Sequence, residues 1–146
     1  MRKKTHILIA RAIADHLGLS GLARFGFIVG AVYPDIVPTV FIKPHTWDRW
    51  LGWTDCHLLC GDMFHRGCAL HLLCDFYTHP HNASGYLSYE HMRWEADLKN
   101  YFKKHGVDWY TAKCDLRDLH FEYLHTTPSI VTDWEYCCRA LSSVYG

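Results

Sequence analysis

Apolar residues recur at helical spacing from the start of the chain. Ile7, Leu8, Ile9, Ala12, Ile13 and Leu17 share a face, which predicts a helix over Thr5 to Leu17 with Thr5 as its cap and Gly18 as its stop. From Ser20 to Gly30, Leu22, Phe25, Phe27, Ile28 and Val29 leave little polar face, so this second helix is expected to be largely buried. It runs into GAVYPDIVP, where glycine and two prolines make a rigid turn that presents Asp35. Thr39 to Thr54 carries no periodicity and is expected to be a loop rich in Trp and Pro. Thr54 or Asp55 then caps a long helix reaching about Tyr77, with Gly61 and Gly67 as its weak points. Leu58, Leu59, Met63, Phe64, Leu70, Leu72, Leu73 and Phe76 form more than one stripe on it, as expected of the buried centre of a bundle. THPHNASG breaks that helix. Further helices are predicted over Ser88 to Lys104 with a stop at Gly106, over Ala112 to His125, and over Thr132 to Val144. No stretch alternates like a strand. The expected fold is therefore all-α, a single domain over residues 1–146 with about six helices and a metal site between helices and loops.

Charge narrows the function little. Lys plus Arg and Asp plus Glu number 15 each, so net charge signals neither a polyanion partner nor a membrane-surface patch. The excess lies in 12 histidines and 6 tryptophans, and histidine is the commonest protein metal ligand. The 7 cysteines form no CxxC pair and read as buried thiols in a reducing compartment. MRKKTHILIARAIADHLG has the basic start of a signal peptide, but Arg11, Asp15 and His16 interrupt its apolar run and no small-residue cleavage site follows. No segment reaches transmembrane length, and a cytoplasmic location is the default expectation.

The candidate chemistry is concentrated between His65 and Glu95. His71 with Asp75 and His91 with Glu95 are pairs four residues apart, so each presents an imidazole and a carboxylate on one helix face. Between them lie His79 and His81. Neutral imidazole and carboxylate are donors that zinc accepts, and a site with an open position for water is catalytic. One such pair alone is ordinarily a surface salt bridge. Here there are two, flanking a short connection with its own histidine, and Asp35 and His45 add a carboxylate and an imidazole upstream. A histidine and an aspartate on a buried helix are also costly unless paired or bound to a cation. His6 lies in a first turn, where a lone histidine is usually a surface residue; Asp35 is in a turn, where aspartate usually caps the next element. Trp47, Trp50 and Trp53 suit either a substrate cleft or packing over the core.

In order, Thr5-His6, Pro34-Asp35, His45, His71-Asp75-His81 and His91-Glu95 resemble the zinc-dependent phospholipase C family, a mostly helical fold shared with zinc nucleases that cut single-stranded nucleic acid. The resemblance covers residues 5 to about 100. It implies two to three zinc ions: one held by Asp35, His45, His71 and Asp75, a second by His6 and a bridging Asp75, a third by His81, His91 and Glu95. It implies a hydrolase of phosphate esters in which a metal-bound hydroxide attacks phosphorus, with Asp35 as the candidate general base. His79 and Trp47 are candidate substrate contacts. The chain is shorter than the secreted phospholipases of this kind, and their head-group specificity does not carry over.

The substrate on this reading is a lipid or small-molecule phosphodiester. A second reading makes it single-stranded nucleic acid or a nucleotide, with Trp47, Trp50 or Trp53 stacking on bases. A third makes the chain a non-catalytic helical binding domain in which closed metal sites hold the bundle together.

Overall fold

Ten consecutive residues of one helix, Gly67 to Phe76, are buried, and the rest of the chain is wrapped around them. The computed structural model describes residues 3–37, 45–83 and 88–146. Eight α-helices lie among these residues: α1 Lys3–His16, α2 Gly21–Gly30, α3 Trp47–Cys60, α4 Met63–Phe76, α5 His79–Asn82, α6 Ser88–His105, α7 Leu116–Leu124 and α8 Ile130–Tyr145. A single 3-10 turn, Tyr33–Asp35, follows α2. The fold is all-helical, as expected, with eight helices in place of six.

The additional helices arise at breaks that periodicity does not resolve. The long helix predicted from Thr54 to Tyr77 is two helices, because Gly61 adopts φ of 76° and closes α3, while the Asp62 side chain accepts the backbone N–H of His65 and starts α4. α3 itself begins at Trp47, so the latter part of the expected Thr39 to Thr54 loop is helical; residues 39–44 lie outside the described residues. The His79 to Asn82 segment forms one helical turn instead of an irregular connection. The segment predicted as a helix from Ala112 starts only at Leu116, where the Asp115 side chain accepts from the N–H groups of Arg117 and Asp118. The last helix starts at Ile130 under Ser129, which accepts from Thr132 N–H.

α2 departs most from expectation. Only Phe27 and Gly30 are buried on it, while Leu22 and Phe25 are 89% and 67% exposed. Its inward face is made of small residues because it crosses α4 almost backbone to backbone. A Cβ at Gly30 would overlap the carbonyl of Phe64, and one at Gly67 would overlap the carbonyl of Phe27. The contact surface is consumed by this close crossing, so the large side chains point away from it.

The core joins Ile9, Ile13 and Phe27 to Leu70, Leu73, Phe76, Leu98, Trp134 and Leu141. All seven cysteines are free thiols; Cys68, Cys74, Cys137 and Cys138 are buried as expected, whereas Cys56 and Cys60 are exposed. Among the described residues, no helix is long and apolar enough to cross a membrane.

Candidate metal centre

The buried end of α4 carries the centre of a cluster containing all eight predicted ligands. Asp75, 1% exposed, has one carboxylate oxygen facing each of two pairs of imidazoles. Its Oδ2 lies 2.7 Å from His45 Nδ1 and 3.2 Å from His71 Nε2. Its Oδ1 lies 3.4 Å from His6 Nε2 and 3.6 Å from His81 Nε2. Asp35 reaches in from the 3-10 turn, with Oδ1 3.6 Å from His71 Nε2. On α6, Glu95 Oε1 is 2.9 Å from His91 Nε2 and 3.7 Å from His81 Nε2.

Each side chain is aimed by its element. The four-residue spacing places His71 above Asp75 on α4 and His91 above Glu95 on α6. His71 Nδ1 donates to the carbonyl oxygen of Ala31 at 2.9 Å, which places a proton on Nδ1 and turns Nε2 toward the carboxylates. His6 stacks on His71 with ring centroids 3.7 Å apart. The turn that carries His81 is held by Asn82, whose Nδ2 donates to the carbonyls of Phe76 and Thr78 at 2.8 and 3.1 Å. His120 Nε2 donates to Asn82 Oδ1 at 3.1 Å.

Among the described residues, three groups of donor atoms each lie close enough together to hold an ion, His6 with Asp35 and His71, His45 with His71 and Asp75, and His81 with His91 and Glu95; the first two share His71, whose Nε2 serves one ion only. The third coincides with the set implied by the sequence. In the other two, His6 falls with Asp35 and His71, while its contact with Asp75 persists at 3.4 Å.

The electrostatics suit a cation. Burial lowers the His6 pKa, and neighbouring His71 adds to this, to about 3, so the ring is neutral. Both of its nitrogens are nevertheless buried without a hydrogen bond. An orphaned neutral imidazole beside carboxylates is completed by a metal ion, since leaving such donors unsatisfied costs about 1–3 kcal/mol. Burial would raise the Asp75 carboxyl, but His81, His6 and His71 outweigh it and hold it well below the usual range. Glu95 is likewise lowered against its burial by the bonds from His81 and His91. For His45 the loss of water opposes protonation, and the bond to Asp75 overcomes it, raising the pKa. His81 is lowered, chiefly by burial. These residues fit zinc, which takes imidazole nitrogen and carboxylate oxygen.

The other two predicted contacts are placed differently. Trp47 stacks on His120 at 4.1 Å and meets Phe76 edge-on, so it packs over the core. Trp50 meets a site histidine, edge-on to His45 at 6.2 Å. His79 faces Trp94 and lines a cavity of about 120 Å³ with Asn82, Tyr123 and Pro128, beside the cluster rather than in it.

Sequence reasoning missed Asp133. Fully buried on α8, it accepts the backbone N–H of His79 at 2.9 Å, Trp94 Nε1–H at 2.7 Å and the Tyr123 hydroxyl at 2.7 Å. It thus ties α6, α7 and α8 to the segment bearing His81. Within Ser129 to Trp134 it reads only as an acid in a helix's first turn, so no sequence signal marked it.

The sequence matches the family model described as zinc-dependent phospholipase C over residues 5–141. The chain belongs to that family. The match runs beyond the ordered ligands, through α7 and most of α8. Comparison with curated proteins and with solved structures finds no match.

Proposed function

We propose that this protein is a zinc-dependent hydrolase of phosphate esters, acting as a phosphodiesterase of the phospholipase C type. The observation that carries the reading is the position of Asp75, with Oδ1 facing His6 and His81 and Oδ2 facing His45 and His71. A carboxylate shared in this way suits a bridge between two cations.

Asp35, His45, His71 and Asp75 would hold one zinc, His6 and Asp75 a second, and His81, His91 and Glu95 a third. Bound zinc supplies Lewis-acid activation of water and neutralises charge on the phosphoryl oxygens. Asp35 is the most accessible carboxylate of the first two groups, with its side chain 19% exposed against 1% for Asp75. Its carboxylate oxygen takes the proton from the attacking water. His71 is kept in its ligand tautomer by Ala31, and Glu95 converges with His91 and His81 on one point, where a cation would stand beside the leaving oxygen. The substrate is a phosphodiester with a lipid group, as the family name indicates. The edge of Trp50 against His45 supports a second reading in which a nucleotide base is held there.

The test combines zinc content per chain with hydrolysis of a soluble chromogenic phosphodiester. Two or three zinc ions and turnover that a chelator abolishes are expected for the wild type. A fully zinc-loaded protein that hydrolyses neither phospholipid nor nucleotide diesters would overturn the reading and leave a metal-stabilised helical domain.

A further inference from the structure

A groove of about 250 Å³ runs between α1 and α6, lined by Lys4, Ile7, Leu8, Arg11, Lys99 and Lys103. Four of these six residues are cations, and among the described residues none of the four is ion-paired. No acidic residue is among those that line it. In a chain with zero net charge this is a local concentration, which the charge balance of the sequence conceals.

The groove is built on two helices that also carry residues of the candidate centre, His6 on α1 and His91 with Glu95 on α6. On α6, Lys99 follows Glu95 by one turn and Lys103 follows by another, extending the row that begins at His91 and Glu95. On α1, Ile7 and Leu8 directly follow His6, and Lys4 with Arg11 bound the same strip. Its remaining lining is aliphatic, supplied by Ile7 and Leu8, with no aromatic ring to stack on a base. Cations around an aliphatic floor complement a ligand that is both anionic and acyl-bearing; single-stranded nucleic acid would require stacking surfaces.

We propose that the α1–α6 groove docks an anionic phospholipid at a membrane surface, beside the centre that processes the phosphodiester. The lipid phosphate lies against Lys4, Arg11, Lys99 and Lys103, and the proximal acyl chain lies on Ile7 and Leu8. This rests on the hydrolase reading only for its purpose; the binding itself is independent of turnover.

Sedimentation of the zinc-loaded protein with vesicles of phosphatidylcholine, alone or mixed with phosphatidylglycerol, tests it. Wild type is expected to bind the phosphatidylglycerol vesicles selectively and to release them as salt rises. The variant K99Q/K103Q is expected to bind about thirtyfold more weakly. R49Q/R117Q, which removes the same charge from exposed positions outside the groove, is expected to bind as wild type does. Equal binding by the two double variants, equal binding to phosphatidylcholine alone, or preference for a single-stranded oligonucleotide that K99Q/K103Q loses would each overturn the proposal. Zinc-dependent turnover of a soluble diester without vesicle binding overturns the groove and spares the hydrolase; vesicle binding without turnover does the reverse.

Discussion

His71 Nδ1 donates to the carbonyl oxygen of Ala31 at 2.9 Å, so the orientation of a ligand on α4 depends on the end of α2. That relationship exists only because Gly30 and Gly67 let the two helices approach. Gly67→Ala is expected to destabilise the fold by about 1–3 kcal/mol through overpacking. It is also expected to weaken zinc binding roughly tenfold to a hundredfold, the range for losing the support behind a ligand. Denaturant unfolding and zinc titration measure the two effects.

Asp75 faces four histidines, whereas His105 is exposed at the end of α6. Asp75→Asn is expected to lose bound zinc and activity together, while His105→Ala keeps both. Elemental analysis of the two purified variants gives the comparison. Equal zinc content in the two would rule out a bridging Asp75.

Asp133→Ala leaves the His79 N–H, the Trp94 indole N–H and the Tyr123 hydroxyl without their acceptor. A loss of about 2–4 kcal/mol is expected from stranded buried donors. Zinc at His81, His91 and Glu95 is expected to go first, because the segment bearing His81 loses its tether. Asp133→Asn keeps an acceptor oxygen and is expected to recover part of both quantities, read by thermal melting and zinc content.

Burial lowers the His120 pKa from 6.5 to about 4 in the folded protein. Between those values the unfolded chain binds a proton that the native state does not, so stability falls as pH drops from 6.5 toward 4 and is restored above 6.5. His120→Phe removes this contribution while retaining a ring against Trp47. Across that window, the difference in unfolding free energy between wild type and variant is expected to shrink as pH falls. A difference independent of pH would show that His120 titrates alike in the folded and unfolded states.

That the eight candidate residues would cluster was legible because two of the pairs obey a helical spacing that their helices preserve, and because their order is distinctive. His6 and Asp35 could not be joined to the others by spacing alone; only the crossing of α1, α2 and α4 brings them together. The break at Gly61 was anticipated merely as a weak point, since an interior glycine and a helix-ending glycine look alike in one dimension. α2 was read as buried from its apolar content, yet its contact is made by glycine against backbone, which hydrophobicity does not register. Trp47 and Trp50 are three residues apart on α3, and tertiary placement alone decides that one meets His120 and the other His45. Asp133 acts across the fold from its sequence neighbours and leaves no local trace.

The single turn His79–Asn82 gives the connection between Asp75 and His81 a fixed length. Asn82 grips two carbonyls at the end of α4, and Thr78 Oγ1 donates to the Cys74 carbonyl at 2.7 Å, so the interval behaves as a rigid spacer. One residue inserted between Tyr77 and His81 would move the imidazole away from Asp75 and Glu95 together. Lineages descending from this sequence should therefore tolerate changes of residue in that interval more readily than changes in its length.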